Sequence, residues 1–414
     1  MTGYLDLLRQ PGVARLVASM GSARFGGGMV QLVAVLFVLE HYHSPALAGL
    51  VALCAGLSGI AAAPVAGALL DRYGRVRLIL LDYGVGVLTT LLLPALWALG
   101  RLPPWLLLMI VTLSGFSLPL SASGARSLLP LLAPRDLWDR SNALDSATFW
   151  AASIAGPALA GTAVALFGSS PTMAAVSATW LLAGGFLLGV REPRSAGEGA
   201  RSLLGDALAG LGYLLRNPML GRLSIVFPVS TLAPGILSIA VPVLVFSRFH
   251  ASAALVGILW STFGAGAVVS NLAAGALRTE GREPRLMAAG LAGSTLGPVT
   301  LALAPVAGFA LLGQLVAGFC AGPVNVAMFG LRVRSIERAW FGRAMSISMM
   351  LNSLGFPIGA ALGGQLVTRS LTGTLLVAGL TSLLAAVLSL LLLGRASQRA
   401  YPPVLTAAGA FPEP

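Results

Sequence analysis

The chain contains no lysine, and all 26 of its basic residues are arginine. Charge of either sign is scarce, at 10% of 414 residues, where a soluble domain carries roughly a quarter. That shortage excludes an ordinary water-exposed globular surface. Cysteine is nearly missing: Cys54 and Cys320 both lie inside apolar runs, which excludes a disulfide framework and leaves them as small buried hydrophobes. The three histidines, His41, His43 and His250, fall in connecting segments. His41 and His43 at i, i+2 are better read as loop residues than as metal ligands, so no metal and no other cofactor is expected. The net charge of +12 would suit a nucleic-acid binder. The arginines are instead dispersed through short loops between apolar runs, and no nucleic-acid partner is expected.

What the chain has in abundance is apolar length. Hydrophobic residues make up 57% and the mean hydropathy is +0.88. Runs near 20 residues recur along the whole chain, about what an α-helix needs to cross ~30 Å of hydrocarbon. The pattern predicts an all-α polytopic membrane protein with twelve transmembrane helices. They span approximately 14–39, 46–70, 78–99, 104–129, 142–167, 172–190, 221–246, 254–277, 286–305, 307–330, 342–368 and 372–393. With the N-terminus inside, 21 arginines fall in inner segments and three (Arg101, Arg248 and Arg369) in outer ones, while Arg24 and Arg126 fall within spans. This asymmetry predicts two cytoplasmic termini. The first apolar run is too long for a cleaved signal and reads as a retained span.

The longest connection predicts the domain organisation: a six-helix bundle over 1–190, a cytoplasmic linker over 191–220, a second bundle over 221–394 and a cytoplasmic tail over 395–414. In the linker, Leu204, Ala207, Leu208, Leu211, Leu214 and Leu215 recur at helical spacing, which predicts an amphipathic helix along the membrane surface. The halves share a weak repeat. At an offset of 208, Gly49, Gly56, residues 66–69 and Arg77-Leu78 match Gly257, Gly264, residues 274–277 and Arg285-Leu286. At an offset of 200, Ser146, Ser153, Pro157 and Ala160 match Ser346, Ser353, Pro357 and Ala360. Six spans plus six, entering from one side, predict pseudo-symmetric bundles with a substrate site between them near the midplane.

Two motifs carry the remaining information. Gly67, Asp71, Arg72, Gly74, Arg75 and Arg77 form G-x-x-x-D-R-x-G-R-x-R between spans 2 and 3. Gly67 would allow close packing, Gly74 a tight turn, and Asp71 a pairing with arginines or a helix N-terminus. Gly156, Pro157 and Gly161, preceded by Ala152, form a kinked small-residue stretch in span 5. With the span count and the parallel halves, these motifs resemble the major facilitator superfamily (MFS) over essentially the whole chain, in particular its bacterial drug and siderophore efflux permeases. The resemblance implies a gating role for the 67–77 loop, with Asp71 closing the cytoplasmic side against the start of span 11 near Phe341–Arg343. For span 5 it implies an antiporter-type motif. A plain topology signal and a plain kinked helix are the alternatives. The second-half copy of the loop is degenerate, with Thr279, Glu280, Arg282 and Glu283 in place of Asp71, Arg72, Gly74 and Arg75. The arginine such exporters carry early in span 4 is replaced by Thr112.

Arg24 lies about 15 Å into span 1, where an ionised group faces the bundle interior or a water-filled cavity. It either serves a central cavity with Gln31, Asn271, Gln314, Asn325 and Asn352, binding an anion there, or pairs structurally with Asp145. Asp145 and Asp82 are placed in the first turn or so of their spans, and Arg126 with Asp145 is a candidate charge relay. Gly26-Gly27-Gly28 lacks the lysine and context of a phosphate loop. No set of acids, bases or ligands converges within the spans, so the chain does not read as an enzyme. The expected function is a monomeric secondary transporter in the lipid bilayer, exporting a lipophilic or amphipathic small molecule by proton antiport through alternating access. The alternative is an uptake symporter or facilitator for a small anion.

Overall fold

A computed structural model describes residues 2–192, 203–275, 281–337 and 340–394, without the side chains of Thr2, Ala68, Arg135, residues 203–208, Gly342 and Arg343. The tail over 395–414, part of the linker, and Thr279 and Glu280 therefore lie outside the described residues. Those described are helical throughout, with no strand. In the first half of the chain the helices are α1 (Thr2–Leu8), α2 (Val13–Tyr42), α3 (Pro45–Tyr73), α4 (Arg75–Ala98), α5 (Pro104–Leu132), α6 (Trp138–Phe167) and α7 (Ser169–Leu187). The connecting helix α8 (Leu203–Arg216) follows. The second half comprises α9 (Pro218–Ser247), α10 (Ala253–Gly275), α11 (Glu283–Ser294), α12 (Leu296–Leu303), α13 (Ala307–Ser335), α14 (Phe341–Asn352), α15 (Gly355–Val367) and α16 (Leu371–Leu388).

Local chemistry explains the boundaries. Ser44 and Asn217 cap α3 and α9 with their side-chain oxygens, each followed by a proline at the first helical position. Gly74 alone separates α3 from α4, turning the chain at φ +89°, a conformation that a Cβ would strain. Eleven helical stretches among the described residues are long and apolar enough to cross a membrane, with α11–α12, α14–α15 and α16 with its π-helical end each counting once. The 19-residue α7, diluted by Ser169, Ser170, Thr172, Ser177 and Thr179, is not among them. Two expected spans are broken. The 286–305 run divides at Thr295, and the 342–368 run divides at Ser353–Leu354. Conversely, α2 runs on to Tyr42, so His41 is helical rather than in a loop.

The core shows how the halves relate. At the helix ends remote from Asp71, one apolar cluster runs through both halves. It joins Phe37 of α2, Val51 of α3 and Ala160 of α6 to Val241 of α9, Val256 of α10 and Ala360 of α15. At the Asp71 end the core forks. Leu16, Ile79, Leu128 and Trp180 cluster within the first half, and Leu223, Phe227, Leu331 and Ile347 cluster separately within the second.

Two helix seams cross between the halves, α3 on α15 and α6 on α10. Both rest on backbone contact. A Cβ on Gly49 would stand 2.5 Å from the Ala360 carbonyl oxygen, and one on Gly56 would stand 2.7 Å from the Pro357 ring. Across the other seam a Cβ on Gly161 would meet the Ala253 carbonyl at 2.5 Å, and one on Gly257 would press on the Pro157 carbonyl. Gly49 and Gly257, Gly56 and Gly264, Pro157 and Pro357, and Ala160 and Ala360 are the pairs matched by the internal repeat. Part of the repeat thus falls on the two surfaces where the halves touch.

Gly67 does not have the packing role expected of it, because nothing lies within 4 Å of the position its Cβ would occupy. Gly67→Ala should therefore leave thermal stability in detergent unchanged or slightly raised, as alanine favours a helix. Gly257→Val overpacks a seam and should cost about 1–3 kcal/mol in the same measurement.

Candidate functional site

α2 and α6 bring Arg24 and Asp145 together. Their crossing is set by Gly28 and Gly156, each of which would push a Cβ to within 3.2 Å of the partner helix's backbone. This gives the triple-glycine run a packing role. Gly28 faces α6, Gly26 lies against Thr179 and Trp180 of α7, and Gly27 faces open space. Pro157, the residue after Gly156, and Gly161, a little over one turn further along α6, face α10 instead. The span-5 motif thus serves two interfaces.

The Arg24 guanidinium donates to the Asp145 carboxylate at 2.5 Å, to the Asp145 backbone carbonyl at 2.5 Å and to the Thr148 hydroxyl at 2.5 Å. It also lies 6.0 Å from the centroid of the Phe149 ring. Arg126 of α5 approaches the other carboxylate oxygen at 3.6 Å, with its side chain 55% exposed. Asp145 lies two turns into α6, deeper than the sequence suggested, because the helix begins at Trp138. Asp82 is likewise two turns into α4 and is buried. The carboxylate that the sequence could not find at the depth of Arg24 is Asp145. Two guanidinium groups on one carboxylate leave a surplus positive charge, carried mainly by the exposed Arg126.

The other proposed cavity residues do not converge on this cluster as a group. Gln31 is exposed. Asn271 donates to Ala267 within its own helix. Asn325 is half-buried. Asn352 donates to the Met328 sulfur at 3.5 Å. Gln314 is fully buried beside Gly297 of α12, so it is a packing residue inside the second half.

In the 67–77 loop, Asp71 pairs with Arg75 at 2.6 Å and is 68% exposed. Arg75 also binds Glu192 at 3.1 Å and Ser127 at 3.1 Å, and the second Glu192 oxygen accepts the Val76 amide. Arg75 is therefore the hub, tying the loop to α5 and to the end of α7. Arg72 lies over the Tyr73 ring, and Arg77 is exposed. The partner of Asp71 in the structure is Arg75; the expected approach to Phe341–Arg343 involves the Arg343 side chain, which lies outside the described residues. Glu192 went unnoticed in the sequence because it sits 117 residues from Arg75.

The second-half copy is inverted rather than simply decayed. Glu283, at the position matching Arg75, is buried and paired with Arg334 of α13. Arg334-Ser335 matches Arg126-Ser127 at the same 208-residue offset, a signal that was available in the sequence. The connecting helix is likewise held from above and below. Tyr213 stacks on Trp340 at 5.1 Å and accepts the Glu337 amide, while the Asn217 side chain donates to the Ser335 carbonyl.

The profile described as Major Facilitator Superfamily matches residues 16–234 and again 223–411. The chain belongs to the major facilitator superfamily. It is 35% identical over 397 residues to the MFS-type transporter y4rN of Sinorhizobium fredii (strain NBRC 101917 / NGR234), covering 94% of this chain and 96% of that one. It is 26% identical to the enterobactin exporter EntS of Citrobacter koseri (strain ATCC BAA-895 / CDC 4225-83 / SGSC4696), covering 87% and 86%. The multidrug efflux pump Tap of Mycolicibacterium fortuitum is 29% identical over 225 residues, about half of each chain. Among solved structures, the nucleoside transporter NupG superposes with a TM-score of 0.72 at 15% identity, covering 95% and 99%. A bacterial homologue of the lysosomal transporter Spinster gives 0.70 at 14%, covering 96% and 98%. The all-α, multi-pass membrane architecture and the small-molecule transporter class follow from membership. Exporters are among the relatives, and the transporter family is one of carriers rather than enzymes.

The Arg24–Asp145 pair makes a mutational prediction. Asp145→Asn leaves the largely buried Arg24 guanidinium facing a neutral amide, with the exposed Arg126 beside it, and should cost roughly 2–3 kcal/mol. Arg24→Met should cost less, because Arg126 still compensates Asp145. The double variant should recover part of the Asp145→Asn loss when melting is followed in detergent.

Proposed function

We propose that this MFS protein is an inner-membrane exporter of a lipophilic or amphipathic small molecule, working by alternating access and proton antiport as a monomer. Twelve spans in two six-helix bundles, over 1–190 and 221–394, complete the architecture, with α7 as the sixth span and both termini in the cytoplasm. The forked core is the observation that supports alternating access: with the arginine-rich loops inside, the joined cluster is the outer end and the two arms part toward the cytoplasm. Gly67, Asp71, Arg72, Gly74, Arg75 and Arg77 form the inner gate, and an Asp71 held by Arg75 suits the open gate. The names of the EntS and Tap relatives support export.

Asp145 is the group we assign to proton exchange, and the sign of its linkage separates two readings. A cargo that engages the Asp145 carboxylate competes with the proton, which gives antiport. A small anion would instead take the arginines that protonation of Asp145 releases, so anion and proton would bind together. The surplus charge at Arg24 and Arg126 favours that second reading, an uptake symporter.

Expression in an efflux-deficient bacterium should raise tolerance to lipophilic drugs, and Asp71→Asn at equal membrane abundance should abolish the gain. Purified protein in weak buffer should release protons when an exported compound is added. Proton uptake on adding a small anion, with no drug tolerance, would establish the symport reading in its place.

A further inference from the structure

Arg332 is the most unusual charge in the molecule. It lies near the cytoplasmic end of α13, is 0% exposed, and none of its three guanidinium nitrogens has a hydrogen-bond partner among the described residues. Its guanidinium carbon stands 5.7 Å from the Phe227 ring of α9. An ion buried without a counter-ion costs several kcal/mol, and removing the cost takes a partner of opposite charge.

The helix register shows what else faces it. Asn352 of α14 donates to Met328 of α13 at 3.5 Å, and the Asn352 carbonyl accepts the Thr231 hydroxyl of α9 at 3.2 Å. These contacts form one layer across three helices. One turn toward the cytoplasm, the corresponding residues are Arg332 of α13, Phe227 of α9 and Ser348 of α14. Ser348 is also 0% exposed, and its hydroxyl has no partner. The second layer therefore combines a guanidinium and a hydroxyl, both unsatisfied. Among the described residues of this layer the unsatisfied groups are guanidinium N–H donors and a hydroxyl that can donate, with the unpartnered acceptor Asn352 Oδ1 one turn away. A cluster dominated by donors selects an anion.

We propose that a small monovalent inorganic anion of chloride size binds between Arg332 and Ser348. Single charge matches the single guanidinium. Small size suits a site set among the buried apolar side chains of Leu223, Phe227, Leu331 and Ile347, which offer an organic body no polar partners. α14 is separated from α15 at Ser353–Leu354, so it can move as a unit to admit the ion. A bound anion would pin α14 to α13 and so stiffen the cytoplasmic end of the second half. This site is distinct from the Arg24–Asp145 cluster and does not depend on the direction of transport.

The test is thermal melting of the purified full chain at constant ionic strength, titrating chloride or nitrate against gluconate. Chloride and nitrate should raise the melting temperature saturably. Arg332→Met should abolish that response while melting above the wild type in gluconate, because the uncompensated charge is gone. Ser348→Ala should keep the response with roughly tenfold weaker half-saturation, the worth of one hydrogen bond to a charged group. Identical melting of the wild type in chloride and gluconate would overturn the proposal, as would a wild-type chloride response in Arg332→Met. Should Arg332→Met fail to fold, an unchanged half-saturation in Ser348→Ala would overturn it.

Discussion

Close backbone contact along two glycine-lined seams is the constraint on which the rest of this structure depends. Helices in hydrocarbon gain little from hydrophobic association with one another, so they join where small residues let their backbones approach. Here Gly49 and Gly56 of α3 meet α15, while Gly161 of α6 and Gly257 of α10 meet at the other seam. α15 has a second small-residue face, with Gly355, Gly359 and Gly363 against the carbonyls of α9. It is thereby fastened within its own half and across to the other. Because both seams lie at one end, the opposite end is left with two separate cores.

The few charges in the chain are placed where that geometry needs them. Arg75 gathers Asp71, Glu192 and Ser127, which makes the 67–77 loop a rigid corner rather than a free tether. Glu283 and Arg334 make the equivalent corner in the second half with the charges reversed. At the opposite end Arg248 donates to the last carbonyls of α12 and to Thr372, closing the second half there. Arg24 and Asp145, by contrast, form a two-helix cluster that carries surplus positive charge with Arg126. The arrangement separates ions that hold corners from a cluster whose charge is not balanced.

Much of the all-helical fold was legible in the sequence, because apolar length answers directly to the thickness of a bilayer. The repeat was also legible, although its meaning was not. Gly49, Gly257, Pro157 and Pro357 match as letters, and only the packing reveals them as the contact surface between halves. Helix breaks at Thr295 and Ser353–Leu354 were hidden, since an apolar run continues through a kink without changing composition. The depth of Asp145 was misjudged because α6 starts several residues before its apolar stretch does. Partners distant in sequence, such as Glu192 for Arg75, leave no local trace. Gln314 was misplaced for a related reason, because a polar residue in a span can satisfy packing inside one half as well as line a cavity.

The central claim is that the halves pivot about the far-end seams, opening one face as the other closes. Spin labels on a Cys54- and Cys320-replaced background test it directly, with one pair at Arg77 and Phe341 and another at Arg101 and Arg369. Distance distributions would be compared with and without a saturating exported compound. Pivoting predicts that the first distance shortens while the second lengthens. Movement of both pairs in the same sense, or of neither, would contradict it.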